Sequence, residues 1–284
     1  MLGLGAQKSG TTWLHETLSA HPQCQAFPIK EVHYFDTVSG VAQAGFVLTH
    51  MRAKALRRQG GQEEELAKVM RLSDILDEPD SNHQSYVDLM TEGLAPGSVA
   101  LDITPAYSMI DDALFAEVAS MEPVRFLFIM REPIARFWSG IRMLVNLRGE
   151  AAQDFETEAR KIVDQVLDGD LSPRLEKVLA RGDYAGTLSK LERHVPASRR
   201  MVLFFEDLFE QDTLDRICAF LGLASMPLSD TTARLEGVKA TLRPDQSERL
   251  QDFLRPQYDA VCASFGDAVP LSWHERFAHG TVAA

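Results

Sequence analysis

The sequence predicts an α/β fold of three layers, with a central parallel sheet between two sets of helices. Three observations lead there. A short apolar strand at Leu2 to Leu4 runs into a glycine turn and then a helix. Val124 to Met130 and Arg200 to Phe205 are continuous apolar runs, as strands buried on both faces are. Helical patterns separate these strands, and alternation of this kind builds a parallel sheet with helices packed on each side.

Taken in order, the first strand leads to a helix that starts after Gly10, and Cys24 to Phe27 forms a second short strand. Residues 40–92 are helical in pattern with polar interruptions, and we read 37–97 as an insertion that would cover the site. Ser98 to Thr104 is a strand that Pro105 stops. A helix begins near Pro133 and carries Arg136 and Arg142, which we assign to the scaffold. Further helices are predicted over 153–168 and 183–194, and another after the Arg200–Phe205 strand ends near Gly222. No repeat, low-complexity tract or linker interrupts the chain, so residues 1–284 are expected to form one domain.

Composition narrows the function. Apolar residues make up 45% and charged residues 25% of the 284, ordinary usage for a globular protein. No apolar run of about 18 residues exists, so no membrane span is expected. The first strand starts at once, so no signal peptide is expected. Cys24, Cys218 and Cys262 are far apart with no CxxC pair, which argues against zinc or disulfides and for a reducing, cytoplasmic setting. The net charge is −12, whereas a protein acting on a long polyanion normally shows a basic face. Arg52, Lys54, Arg57 and Arg58 are the densest basic stretch, and Glu63, Glu64 and Glu65 follow; this reads as a solvated helix face. Nucleic acid is therefore not an expected partner, and a neutral or small acceptor is.

The turn Gly5-Ala-Gln-Lys8-Ser9-Gly10-Thr11-Thr12-Trp13 carries the chemistry. A strand–turn–helix points several N–H groups and the positive end of a helix dipole at one spot, which suits a phosphate. Gly5 and Gly10 let the backbone approach, Lys8 adds charge, and the hydroxyls of Ser9, Thr11 and Thr12 add donors. The spacing of the two glycines is that of a P-loop, yet Thr11 stands where the P-loop lysine belongs and the lysine sits earlier, at Lys8. This pattern resembles the 5′-phosphosulfate loop of sulfotransferases that use 3′-phosphoadenosine 5′-phosphosulfate (PAPS). The resemblance implies a P-loop-like fold and PAPS as co-substrate, with no metal.

The strand 124–130 ends in Arg131 rather than in the aspartate that would help hold Mg²⁺ in an ATP- or GTP-hydrolysing protein, and Ser139 follows eight residues on. Arginine forks onto phosphate oxygens and a serine hydroxyl can share them. The pair is similar to the family's 3′-phosphate site; the alternative for Arg131 is an ion pair with Glu132. Lys30-Glu31-Val-His33-Tyr-Phe-Asp36 gathers an acid, a base and a cation. Sulfuryl transfer needs a base for the acceptor proton and cations for the sulfonate and the departing phosphate. The stretch is similar to the Lys-Glu-x-x-Phe-Phe element of the carbohydrate (heparan-type) branch, which assigns the base to Glu31 with Lys30 assisting. His33 is the rival base, or else a polar residue packed under Tyr34 and Phe35. On an extended edge, Glu31 and His33 would share a face.

Weaker matches continue through Asp102-Ile-Thr104-Pro-Ala-Tyr107, Gly182-Asp-Tyr184 and Phe204-Phe-Glu206-Asp207, where Glu206 and Asp207 read as structural. Lys239 to Arg243 matches the family's basic closing loop loosely. Trp13 is placed against the adenine or in the core. The resemblance spans roughly residues 2–275 and implies sulfuryl transfer from PAPS to a hydroxyl or amine of a small or carbohydrate-like acceptor. The competing readings are a P-loop nucleotide-dependent kinase and a non-catalytic adenosine-nucleotide-binding protein.

Overall fold

The structure, a computed structural model, describes residues 1–57, 62–147, 155–229 and 238–278. Five parallel strands lie in the order β2-β3-β1-β4-β5, where β1 is Leu2–Gly3, β2 Cys24–Ala26, β3 Val99–Ile103, β4 Phe126–Met130 and β5 Arg200–Phe204. The register is regular: β4 pairs with β5 from Phe126↔Arg200 to Met130↔Phe204. Beyond Gly3 the chain keeps bonding to β4, with Leu4 N–H on Leu127 O (2.9 Å) and Ala6 N–H on Ile129 O (2.7 Å). The glycine turn therefore grows directly out of the sheet.

Alternation along the strands creates the three layers. Phe126, Phe128 and Met130 face one core, which contains Phe137 of α7 (Pro133–Leu147), Tyr184 of α10 (Tyr184–His194) and Leu250 of α12 (Pro244–Phe265). Leu127 and Ile129 face the other, which contains Trp13 and Leu14 of α1 (Thr11–Ser19) and Leu214 and Ile217 of α11 (Gln211–Leu221). A period of two sends successive side chains to opposite faces, and helices cover both.

Between β2 and β3 lie α2 (Tyr34–Val38), α3 (Ala44–Arg57), α4 (Gln62–Asp77) and α5 (Gln84–Thr91). They bury Val47, Met51, Leu72 and Leu89 in the first core. Helix α11 ends on Gly222 in the left-handed region (φ 75°), where glycine costs no side-chain clash. Helix α8 is Phe155–Leu167; residues 153 and 154 of its predicted span, and Arg58 of the basic stretch, lie outside the described residues. Helix α9 is Pro173–Ala180, and the α6 (Asp112–Ser120), α12 and α13 (Leu271–Ala278) helices were not predicted.

Residues 30–36 correct one expectation. They are not an extended edge: Glu31 (φ 67°) and His33 (φ 56°) are both left-handed, and the stretch turns into α2. Tertiary hydrogen bonds hold this shape. Tyr34 N–H donates to the Tyr107 hydroxyl (3.1 Å), His33 N–H to Thr104 Oγ1 (3.4 Å), and Thr37 Oγ1–H to His33 O (2.5 Å).

Candidate active site

The strand order reverses at β1, whose neighbours β3 and β4 lead to opposite edges of the sheet. Ligands in open α/β sheets sit at the carboxyl ends of strands at such a point. A cleft of about 510 Å³ opens there, lined by Lys8, Thr11, Thr12, Lys30, Glu31 and Arg131 among others. It thus brings the glycine turn and the nearby Lys30 and Glu31 together with Arg131, about a hundred residues further along the chain.

On the first wall, Gly10 caps α1 with φ 86°, and a Cβ on it would collide with Leu208 Cδ2. Only glycine fits both the backbone and the space. Leu14 N–H begins the intrahelical ladder on Gly10 O (3.0 Å), so Thr11 and Thr12 belong to the first turn, whose N–H groups the helix itself leaves over. Ser9 departs from expectation. It is fully buried and outside the cleft lining, and its N–H donates to Ala6 O (3.2 Å). The tight turn that aims Lys8 outward rolls its neighbour inward.

Lys8 sits in a cluster of cations. Burial first, then Arg131, Arg142 and Lys30, depress its ammonium below the usual lysine range. Arg131 is held by its backbone: Tyr184 Oη donates to Arg131 O (2.6 Å) and accepts from Arg131 N–H (3.2 Å). Its guanidinium donates to Lys8 O (3.2 Å) and stacks 4.4 Å from the Phe205 ring centre. The expected alternative, an ion pair with Glu132, is absent among the described residues. Glu132 instead accepts from Ile134 N–H (3.2 Å) and Ala135 N–H (2.7 Å) at the start of α7, and from the Tyr258 hydroxyl. Glu206 accepts from Glu132 N–H (3.1 Å), in keeping with a structural part.

Ser139 lies two turns along α7 and faces the cleft with Arg142, one turn further. Arg142, assigned to the scaffold from sequence, is thus a lining residue, and its i+3 spacing from Ser139 was the available signal. Its Nη1 donates to Val238 O (3.1 Å), while its Nε is buried without a partner. Lys239 also lines the cleft, held by that contact and by Trp138 Nε1–H on Ala240 O (3.0 Å). Arg243 does not close over it: the guanidinium forks onto Asp164 (2.8 and 3.1 Å) at the start of α12. Trp13 is a core residue, 1% exposed and edge-on to Phe209 (5.2 Å), that also walls the cleft with Phe205 and Phe209. For Phe205 the signal was an aromatic residue directly after a parallel strand.

On the opposite wall, Glu31 accepts from Lys30 Nζ (2.6 Å) and lies 3.4 Å from His33 Nε2, while His33 Nδ1 pairs with Asp36 Oδ2 at 2.7 Å. Glu31 and His33 do meet, through the turn rather than along an edge. Burial pushes the Glu31 carboxyl up, but His33 and Lys30 outweigh it and hold it far below the usual range. Burial pulls His33 down, yet hydrogen bonds to Asp36 and Glu31 raise it to about 9. Both contacts favour the protonated form of His33, which sits between the Glu31 and Asp36 carboxylates and is neither free nor simply packed under the aromatic rings. Beneath them, Asp102 accepts from Tyr86 (2.8 Å), Tyr107 (2.6 Å) and Thr104 (2.6 Å), and burial raises its carboxyl.

Residues 2–227 match the profile of the sulfotransferase family. No curated protein matches the chain. Among solved structures, a sulfotransferase from Alicyclobacillus acidocaldarius superposes with a TM-score of 0.64 at 20% identity, over 96% of this chain and 97% of that one. The sulfotransferase domain from the curacin biosynthetic pathway gives 0.51 at 19% identity, over 83% and 79%. At such identities the likeness is one of fold. Among the described residues no helix is long and apolar enough to cross a membrane.

Proposed function

The chain belongs to the sulfotransferase family and is a sulfotransferase enzyme, and from that premise we propose that its donor is PAPS and its acceptor a hydroxyl or amine of a small or carbohydrate-like molecule. The observation that carries the donor reading is the charge of the cleft. Lys8, Lys30, Arg131, Arg142 and Lys239 line it against one carboxylate, Glu31. Arg131 makes no ion pair among the described residues, its guanidinium donating to Lys8 O, and the Arg142 Nε is buried without a partner. Such a donor set fits a nucleotide bearing two phosphates and a sulfonate. A kinase reading loses its footing with the family assignment.

PAPS supplies an activated sulfuryl group whose leaving group is a stable phosphate. The protein's share is positioning and charge stabilisation, as in phosphoryl transfer. Lys8 and the N–H groups at the start of α1 would hold the 5′-phosphosulfate. Arg131 and Ser139 would grip the 3′-phosphate, with Arg142 and Lys239 completing that wall, and Trp13, Phe205 and Phe209 would offer an apolar face to the base. Glu31 would take the acceptor proton as a new oxygen– or nitrogen–sulfur bond forms and the sulfur–oxygen bond to the phosphate breaks. For that, Lys30 must leave the Glu31 carboxylate, and an incoming sulfonate gives it an alternative anion. His33, fixed by Asp36, would orient Glu31 as a cation.

The test is calorimetric titration with 3′-phosphoadenosine 5′-phosphate (PAP), with 5′-AMP and ATP as controls. Wild type should bind PAP best. Arg131→Ala should weaken PAP by about 10–100-fold, the worth of a charged hydrogen bond of about 1.5–3 kcal/mol, and leave AMP unchanged. Equal binding of ATP would sink the donor assignment.

A further inference from the structure

Arg131 stands between two elements and belongs to neither. The last ladder pair of β4 is Met130↔Phe204, and α7 begins only at Pro133. One side chain takes both polar groups of its backbone. The Tyr184 hydroxyl donates to Arg131 O (2.6 Å) and accepts from Arg131 N–H (3.2 Å), which commits its single proton and fixes this one residue. The far end of Arg131 is steadied as well, on Lys8 O (3.2 Å) and across the Phe205 ring (4.4 Å). A guanidinium held in place before its ligand arrives loses less freedom on binding, and affinity rises accordingly.

The phenol can serve as an anchor because its own ring is held on every side. Tyr184 is fully buried and opens α10. Asp183 caps that helix by accepting from Gly186 N–H (3.0 Å). Gly182 lies so close to the Arg136 guanidinium of α7 that a Cβ would collide with it, so α10 starts against the helix that follows Arg131. The ring is edge-on to Phe128 of β4 (6.0 Å between centres) and stacked on Trp273 of α13 (6.4 Å). Trp273 is itself buried, edge-on to Phe204 (5.4 Å), and lies beyond the residues that match the family profile. Burial pushes the phenol up to about 12, so it remains a proton donor at neutral pH.

A ring that only filled the core would need no hydroxyl, since phenylalanine packs there without burying a polar atom. Tyr184 does not line the cleft, so any effect on the donor passes through Arg131. Resting on the donor reading above, we propose that Tyr184 is a positioning residue: through the Arg131 backbone it presets the guanidinium for the 3′-phosphate, and so helps the enzyme choose a 3′-phosphorylated nucleotide over one without that group. The 5′ side of the donor, held by the glycine turn, is not its concern.

Calorimetric titration of Tyr184→Phe with PAP and with 5′-AMP tests this, because the variant keeps the ring and loses only the clamp. PAP affinity should fall by about tenfold, equivalent to about 1.4 kcal/mol, while AMP affinity stays within about twofold. In the Arg131→Ala background the same substitution should change PAP affinity by less than about twofold, because two residues acting through one contact do not add. Trp273→Leu keeps the hydroxyl but removes the ring's backing, and should shift the PAP-to-AMP ratio the same way by a smaller factor. Undiminished PAP affinity in Tyr184→Phe, an equal loss of PAP and AMP, or a loss that persists in full in the Arg131→Ala background would each overturn the proposal. The last two are what a merely structural tyrosine gives. Should Tyr184→Phe not fold, the ratio in Trp273→Leu decides: a shift toward AMP supports the clamp, and an unchanged ratio overturns it. Wild type keeps the two readings apart. PAP bound no tighter than AMP removes the donor reading itself, whereas a preference for PAP that Tyr184→Phe leaves intact removes only the role of Tyr184.

Discussion

The two walls of the cleft reach unusual backbone shapes by different means. In the glycine turn, Gly5 (φ 114°) and Gly10 (φ 86°) supply left-handed positions from their own chemistry, and Lys8 (φ 73°) is flanked by them. In the 30–36 turn, Glu31 and His33 adopt the same region without glycine, at a cost on the order of 1–2 kcal/mol each. Tyr107 and Thr104 hold them there from outside, and Asp36 fixes the His33 ring from within the turn. The donor wall is thus built locally, and the wall bearing the candidate base is built by the rest of the molecule. Strain at the second is the kind that marks a functional position.

The sharpest way to separate the walls is Glu31→Gln. It should lower kcat by about 10²–10⁴-fold, the usual worth of a general base, while PAP binding stays within about twofold. A parallel collapse of PAP affinity would mean that the two walls are not independent.

Tyr107→Phe comes next. It deprives Asp102 of a donor and leaves the Tyr34 N–H without its acceptor, so stability should fall by about 1–3 kcal/mol in denaturant titration. Turnover should fall with it, and PAP affinity should not. An unchanged kcat would show that the 30–36 turn keeps its shape without this outside support.

The smallest expected effect is one of pH. The folded protein raises His33 from its ordinary value of 6.5 to about 9, so its pairing with Asp36 and Glu31 stabilises fully below about pH 6.5 and is lost as pH climbs through about 9. The Tm advantage of wild type over His33→Asn should therefore narrow between pH 6.5 and 10. A constant gap would remove the charged imidazolium from the account.

Much of the frame was legible because it depends on local pattern. The runs 124–130 and 200–205 read as strands since a strand buried on both faces has no polar alternation to hide it. Lys8, Arg131 and Ser139 were legible because a lysine-shifted glycine turn and a strand-end arginine are rare in combination. Arg142 and Ser9 were misplaced for a shared reason. The direction of a side chain beside a tight turn, or on a helix assigned no site face, follows from what packs behind it.

By itself, then, the sequence determined the α/β layering, the glycine turn and the residue types that gather at the cleft. Hydrophobic period and glycine backbone freedom are properties of neighbouring residues. Only the tertiary structure decided that Thr104 and Tyr107 hold the 30–36 turn in its left-handed shape, and that Arg142 lines the cleft against Val238. Each of these depends on contacts between residues remote in sequence, and on burial, which no stretch of chain can specify alone.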